Sequence, residues 1–139
     1  MNILELSQTR FSARKYTDKP VSDEDLAYIM ECARMAPSAV NRQPWKFIIV
    51  RSKEARERLW KAYDREWFQS APLYIVCMKN NAECWTRRKD DKKHGDIDVA
   101  IATEHICLAA TSADLALAGC AITTLTSCAN SSLLMISRL

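Results

Sequence analysis

The chain has 139 residues, of which 48% are hydrophobic and 27% are charged, and its formal net charge is +3 at pH 7. This length and composition indicate one globular domain and argue against a disordered or fibrous protein. The charge is too small to indicate nucleic-acid binding, and no apolar run approaches the roughly 20 residues of a membrane span. We expect no secretory signal, because the first residues show no basic segment followed by an apolar one.

The first half of the chain predicts two helices and one strand. A short helix is predicted over residues 2–8, and Ser22 is a natural N-cap for a second helix that ends at about Ala36, before Pro37. A polar loop follows, and the aromatic and β-branched run Trp45–Val50 then predicts a strand.

The second half predicts an amphipathic helix, a buried strand and a long apolar helix. Residues 52–67 are charged with one apolar face, and residues 72–77 are apolar enough for a strand buried on both faces. After a charged connection over 82–95, Asp96 and Asp98 open a helix that is apolar nearly all round, so we expect a second subunit to cover it. Strands that alternate with helices indicate an α/β or α+β class with a small sheet.

The numbers and spacing of glycine and cysteine residues limit which phosphate-binding and metal-binding motifs the chain can contain. The chain has two glycines, Gly95 and Gly119, where an average usage of about 7% gives roughly ten. No glycine-rich phosphate loop can be written with them, so a Rossmann dehydrogenase and a P-loop NTPase are excluded, and any phosphate must be held by side chains. The six cysteines include no Cys-x-x-Cys pair, so we expect no metal site and free thiols in a reducing cytoplasm.

The first candidate site lies in residues 10–16. In an extended backbone the side chains of Arg10, Ser12 and Arg14 point to one side. Two guanidinium groups and a hydroxyl suit a phosphate, because each guanidinium presents a fork of donors to an oxyanion. The spacing alone also fits a solvated basic strand edge.

The second candidate site is the polar loop before the first strand. Ser38, Asn41 and Gln43 offer hydroxyl and amide groups on a loop braced by Pro37 and Pro44. Such groups suit the edge of a flat, hydrogen-bonding heterocycle. The same composition also fits a plain connection from helix to strand.

Two further features carry less weight. His105, within the long helix, is a candidate ligand or base, although a histidine without a visible partner is more often a satisfied, partly buried side chain. The basic run over 87–93 contains two aspartates, which favours a solvated loop over a nucleic-acid patch.

Three stretches in register resemble the nitroreductase family of flavoproteins, and the resemblance covers roughly residues 4–114. The stretches are Arg10-Phe11-Ser12-Ala13-Arg14-Lys15-Tyr16, then Ala36-Pro37-Ser38 with Asn41 and Gln43-Pro44-Trp45, and finally the long-helix sequence 96–110.

The resemblance implies an α+β fold with a small mixed sheet flanked by helices, and an obligate homodimer built on the long central helix. It implies FMN at the subunit interface, with its phosphate and ribityl end held by Arg10, Ser12 and Arg14 and its isoalloxazine approached by the partner's polar loop. The implied chemistry is a ping-pong exchange, in which NAD(P)H reduces the flavin and a small acceptor such as a quinone or nitro compound reoxidises it. No catalytic side chain is assigned, because the flavin carries the chemistry. The residues assigned to the cofactor are Arg10, Phe11, Ser12, Arg14, Pro37, Ser38, Ala39, Asn41 and Gln43.

The sequence changes character after residue 114. Of the 37 charged side chains, all but Arg138 lie before this point. We therefore divide the chain into residues 1–114, a nitroreductase-like FMN-binding domain that is incomplete relative to the family, and an atypical tail over 115–139. The family usually continues with a Gly-Leu-Gly turn and an aromatic-containing strand, which the tail lacks.

We interpret the tail as a frameshift product. Synonymous codons for its first half, read in the neighbouring frame, spell Gly-Leu-Gly-Trp-Val-Cys-His-Tyr-Asn-Phe-Asp-Val-Met, which is closer to the family pattern. Loss of one nucleotide near the Ala116 codon would produce this shift, and sequencing the gene tests it. We expect the missing strand to leave a sheet edge and part of the core uncovered and to weaken flavin binding, unless residues 121–126 form a substitute strand.

The sequence thus favours a cytoplasmic, FMN-dependent NAD(P)H oxidoreductase that binds neither nucleic acid nor membrane. Two alternatives stay open. One is a truncated, non-catalytic member that binds flavin or dimerises, and the other is a small anion-binding or nucleic-acid-binding module that uses Arg10, Arg14 and the 87–93 run.

Overall fold

A computed structural model describes residues 1–121 and 131–138 of the chain. Within these residues the helices are α1 (Ile3–Thr9), α2 (Asp23–Arg34), α3 (Lys53–Trp60), α4 (Glu66–Gln69) and α5 (Gly95–Ser112). The strands are β1 (Trp45–Val50), β2 (Leu73–Lys79), β3 (Thr86–Arg87), β4 (Lys92–Lys93), β5 (Leu115–Ala121) and β6 (Ser131–Arg138).

Four strands form one sheet in the order β1-β2-β6-β5, so the last strand of the chain lies in the middle of the sheet. Each neighbouring pair is antiparallel: Phe47 lies opposite Cys77, Ile75 opposite Leu134, and Leu117 opposite Ile136. The strands β3 and β4 form a separate two-stranded hairpin. The expected α+β fold, with a small sheet and a long helix, is confirmed.

The strand β2 is buried on both faces of the sheet, as its apolar sequence predicts. Successive side chains of a strand point to opposite faces. Leu73, Ile75 and Cys77 pack against α2 and α5 on one face, and Tyr74 and Val76 pack against α3 and α4 on the other. The sheet therefore lies between two helical layers, each with its own apolar core.

The two tail strands continue this arrangement. Leu117, Leu134 and Ile136 join the core beneath α2 and α5, and Met135 joins the opposite core. The expectation of an uncovered sheet edge and core is therefore wrong for this part of the chain. The sequence showed no period here because a strand covered on both faces is apolar on both. Beyond its first residue, the substitute strand expected over 121–126 lies outside the described residues.

The single helix predicted over 52–67 is wrong, because α3 ends at Trp60 and α4 begins at Glu66. The break lets both helices contact the same residue of β2. Trp60 Nε1 donates a hydrogen bond to the Tyr74 hydroxyl at 2.9 Å, and that hydroxyl donates to the Phe68 carbonyl at 2.6 Å. These two bonds hold the end of α3 and the middle of α4 against β2.

The helix α5 runs along the face of the sheet that also carries α2. Val99, Ala102, Ile106 and Ala110 are buried within the chain, whereas Ile97 is 46% exposed. Much of the cover that the apolar sequence requires therefore comes from the same chain. Among the described helices, none is both long enough and apolar enough to cross a membrane.

Ile136→Ala tests whether β6 is packed as described. Ile136 is fully buried between β2 and β5, so its truncation is expected to lower the free energy of unfolding by about 2–5 kcal/mol. Ile48→Ala on β1 is the matched control, because Ile48 is 43% exposed and its loss costs much less. Urea denaturation followed by circular dichroism measures both, and equal losses would contradict the packing of β6.

The Asp25 carboxyl joins the start of α2 to the end of β6. Its Oδ2 accepts hydrogen bonds from the Ser22 hydroxyl at 2.6 Å and from Arg138 Nη2 at 2.8 Å. These two bonds, the one from Ser22 first, hold the pKa of Asp25 below its usual value. A lowered folded-state pKa stabilises the fold above the unfolded value of about 3.9, and this stability is lost as pH falls through the folded-state pKa.

Arg138→Ala is therefore expected to raise the pKa of Asp25 toward its usual value. A carboxyl NMR titration of the folded protein measures this shift. Arg34→Ala is the matched control, because Arg34 pairs with Glu31 on the exposed side of the same helix and its loss should leave Asp25 unchanged. An unchanged pKa of Asp25 in Arg138→Ala would show that the tail is not held at α2.

Candidate functional site

The first candidate segment runs along the outer edge of β5. Arg10 ends α1 with an extended backbone, and Ser12 pairs with Leu117 in a parallel bridge. Ala13 N–H donates to the Leu117 carbonyl at 2.9 Å. Ala13 is buried, whereas Ser12 and Arg14 are exposed, which agrees with an extended backbone. Phe11 is 53% exposed, so its ring lies on the surface beside them.

The two arginines of this segment lie in different hollows. Arg10 lines a cavity of about 40 Å³ with Phe11, Thr111 and Asp114, at the C-terminal end of α5. Arg14 lines a hollow of about 280 Å³, where its guanidinium carbon lies 4.6 Å from the centre of the Trp67 ring. Over residues 1–121 and 131–138, neither guanidinium forms an ion pair with a carboxylate.

The charges of the two arginines act on different parts of the core. Burial raises the pKa of Tyr16 well above its usual range and also raises the pKa of the Cys120 thiol, and the charge of Arg14 opposes both shifts. Burial raises the pKa of the Cys107 thiol to about 12, and Arg10 opposes that shift. Both thiols are therefore protonated near pH 7 and are not nucleophiles.

The second candidate site is a tight loop between α2 and β1. The Ser38 hydroxyl accepts a hydrogen bond from Gln43 N–H at 2.8 Å, and the Ser38 carbonyl accepts one from Asn41 N–H at 3.0 Å. A short 3₁₀ turn covers Ala39–Asn41. Three non-glycine residues have left-handed backbones, with φ near 50°: Val40, Asn41 and Gln43. Asn41 and Gln43 are thus exposed residues on a constrained backbone, and Gln43 Nε2 donates a hydrogen bond to the Arg34 carbonyl at 3.4 Å.

Asp98 holds this loop against the start of α5. Its Oδ1 accepts a hydrogen bond from Ala39 N–H at 2.9 Å, and the residue is only 2% exposed. Its other oxygen, Oδ2, is buried and has no hydrogen-bond partner among the described residues. Sequence reasoning assigned Asp98 only to the opening of a helix. The signal it missed is that an acid stands at a position whose helical neighbours, Val99 and Ala102, are buried core residues.

The predicted loop residues lie together in the structure. The two candidate sites are not bonded to each other within the ranges that the structure describes. Pro37, Ser38, Ala39, Asn41 and Gln43 share one loop, next to α5. In the described part of the chain, no hydrogen bond or ion pair joins this loop to the segment that carries the two arginines.

The remaining candidate features form no further site. His105 Nδ1 lies 3.0 Å from the Ile101 carbonyl, so the prediction of a satisfied histidine is confirmed. In the basic run, Arg87 pairs with Asp90 at 2.6 Å. Within the residues described, no three His, Cys, Asp or Glu side chains are grouped to hold a metal ion.

Comparison with known proteins identifies the family. The family model described as the nitroreductase family matches residues 8–69. The chain is 33% identical to a nitroreductase family protein of Clostridium difficile 630, with a TM-score of 0.90 over 99% of this chain and 84% of that one. It is also 34% identical to a relative of Archaeoglobus fulgidus named for NADH dehydrogenase or NAD(P)H nitroreductase, over 77% of this chain and 60% of the relative.

A relative that matches a shorter part of the chain is named for a flavin. The chain is 36% identical over 66 residues to an FMN reductase [NAD(P)H] of Bacillus subtilis, which covers 47% of this chain and 26% of that relative. The chain spans about three fifths of the length of the curated relatives that it matches over most of its own residues. Sequence and fold agree over the segment, the loop and the long helix described above, and the chain belongs to the nitroreductase family.

Proposed function

We propose that the chain is an FMN-dependent oxidoreductase that passes two electrons from NAD(P)H to a small acceptor such as a quinone or a nitro compound. The observation that carries this proposal is the exposed edge segment on which Arg10, Ser12 and Arg14 stand without carboxylate partners among the described residues. The FMN reductase name of a relative and the nitroreductase names of others support the same function.

For the phosphate of FMN to be held at this segment, both arginines must turn from the separate hollows that they line toward one anion. A phosphate needs charge-assisted donors, and a glycine cradle is not available in this chain. Arg14 would have to exchange its contact with Trp67 for a phosphate contact. A cation–π contact at an exposed site is worth about 0.5–1 kcal/mol, whereas a hydrogen bond to a charged group is worth about 1.5–3 kcal/mol. The exchange is therefore favourable.

The loop fits the isoalloxazine ring. Asn41 and Gln43 present exposed amides that can donate to and accept from a flat heterocycle, and Pro37, Ser38 and Ala39 place backbone beside them. We propose that this loop reaches the flavin from the partner subunit, since the loop and the arginine segment of one chain have no hydrogen bond between them in the described residues.

The exposed apolar surface of α1 and of the loop supports a homodimer. No residue of α1 is buried, and its Ile3 and Leu4 are both 64% exposed. Near the candidate sites, Met35 is 65% and Val40 is 72% exposed. Apolar surface of this kind marks an interaction site. We propose that a second copy of the chain covers it.

When bound, FMN supplies the two-electron chemistry, and the residues of this chain bind and orient it. Arg10, Ser12 and Arg14 hold the phosphate end, and the loop with Asn41 and Gln43 fixes the ring. No side chain is required to act as an acid or a nucleophile. We further propose a reducing, cytoplasmic setting, in keeping with a sequence whose six cysteines include no Cys-x-x-Cys pair.

A non-catalytic, flavin-binding member of the family is the second candidate. The one charged residue of the tail is Arg138, and its guanidinium is held by Asp25 at 2.8 Å. The tail therefore adds no available cation to the cofactor site. NAD(P)H oxidation no faster than with free FMN, by a protein that binds FMN, would favour this candidate.

Replacing both arginines tests the phosphate site. We expect the wild-type protein to bind FMN at least about tenfold more tightly than riboflavin, because even one charge-assisted hydrogen bond is worth about 1.5–3 kcal/mol. The double variant Arg10→Ala/Arg14→Ala is expected to lose this preference while still binding riboflavin. Isothermal titration of the two flavins measures the ratio.

Arg58→Ala is the matched control, because this exposed arginine lies on α3, outside the candidate sites. It is expected to keep the preference for FMN. A double variant that distinguishes FMN from riboflavin as well as the wild type does would contradict the phosphate site. A wild-type protein that stays colourless after dialysis against FMN would contradict the proposed function itself.

A further inference from the structure

We propose that Asp98 is a positioning residue, which sets the conformation of the loop over 37–43 and thereby the geometry in which this loop meets the flavin. The inference rests on the proposed function but concerns a residue outside the cofactor-binding set. Asp98 stands on α5, touches the loop at Ala39 and is 2% exposed.

The Asp98 carboxyl group is buried, and its one hydrogen bond within the described part of the chain goes to the loop. A buried polar group that lacks partners is destabilising, so acids in a core persist where they satisfy another buried group. Asp98 accepts one hydrogen bond, from Ala39 N–H at 2.9 Å, while its Oδ2 has no partner among the described residues. An apolar side chain would fit the surrounding core better but could not hold Ala39.

The strained loop needs an anchor outside itself. Left-handed backbones are easy for glycine and strained for other residues, and the loop contains no glycine. The strain falls on Val40, Asn41 and Gln43 and persists only where the surroundings fix it. Ser38 closes the loop from within, through Gln43 N–H, and Asp98 ties it to α5.

The anchor stands next to the residues that we propose meet the flavin. Ala39 directly precedes the strained Val40 and lies two residues before Asn41. If Ala39 is released, the left-handed backbone can relax and the exposed amides of Asn41 and Gln43 move with it. Asp98 thus acts on the flavin through the loop, without touching it.

Asp96→Ala supplies a matched control. Asp96 lies two residues before Asp98, in the first turn of the same helix, and its exposed carboxylate pairs at 2.6 Å with Lys79, whose side chain is largely buried. Its loss removes the same charge from the same helix without touching the loop. Asp98→Asn is the conservative variant, because its amide oxygen can still accept the Ala39 hydrogen bond.

The experiment measures two quantities. In the flavin-free protein, hydrogen exchange at the Ala39 amide is expected to be at least tenfold faster in Asp98→Ala than in the wild type, and close to the wild type in Asp98→Asn and Asp96→Ala. With FMN, Asp98→Ala is expected to raise the dissociation constant at least tenfold and to change the visible circular dichroism of the bound flavin. Asp98→Asn should restore both, and Asp96→Ala should change neither.

A second variant keeps the test independent of the stability of Asp98→Ala. Ala39→Pro removes the donor and leaves the acid, and proline is tolerated at the first position of a helical turn. The extended backbone of Ser38, with φ −143° and ψ 161°, accepts a following proline. Ala39→Pro is expected to weaken FMN binding to the same degree, and Ala39→Pro/Asp98→Ala no further than either single variant.

The outcomes separate the two proposals. Unchanged exchange at Ala39 in Asp98→Ala, or fast exchange with unchanged FMN affinity and unchanged circular dichroism, would overturn the positioning role. Additive losses of affinity in the double variant would overturn it as well. If the wild type binds no FMN, the proposed function fails together with the role toward the flavin, and the exchange data alone then decide whether Asp98 anchors the loop.

Discussion

The pairing of the N-terminal segment with β5 determines where the candidate phosphate site lies. One backbone hydrogen bond, from Ala13 N–H to the Leu117 carbonyl, adds this segment to the edge of the sheet. The strand β5 is itself held by β6, which lies between it and β2. The arginines near the start of the chain therefore depend for their position on the last strands that the structure describes.

A second set of bonds joins the same two parts of the chain. Thr17 N–H donates to the Ser137 hydroxyl at 3.3 Å, and the Thr17 hydroxyl donates to the Arg138 carbonyl at 2.9 Å. Residues more than one hundred positions apart thus meet beside the candidate site. Pairings of this length carry a large entropic cost of loop closure, which the packed sheet has to offset.

Local patterns predicted the elements whose cause is local. The Ser22 cap, the strand over Trp45–Val50 and the both-face burial of β2 follow from caps, β-branched residues and an apolar run. The break between α3 and α4 is accompanied by hydrogen bonds of both helices to Tyr74, and the spacing of apolar residues does not reveal such bonds. The tail strands were hidden for a related reason, because a strand covered on both faces shows no alternation.

The candidate site was predictable in its residue types but not in its supports. Arg10, Ser12 and Arg14 and the amide-bearing loop stood out by composition and by family resemblance. Asp98 did not, because an acid near a helix start is usually explained by the helix dipole. Its contact with Ala39 joins residues 59 positions apart. A local sequence pattern cannot predict a contact between residues so far apart in the chain.

The contact between Arg14 and Trp67 gives the molecule an optical property of its own. An indole that carries a guanidinium 4.6 Å from its ring centre emits in a field set by that cation. Any anion that draws the guanidinium aside changes this field, whether or not the anion is coloured. The chain has four tryptophans, so an anion at Arg14 would alter the surroundings of one of its four indoles.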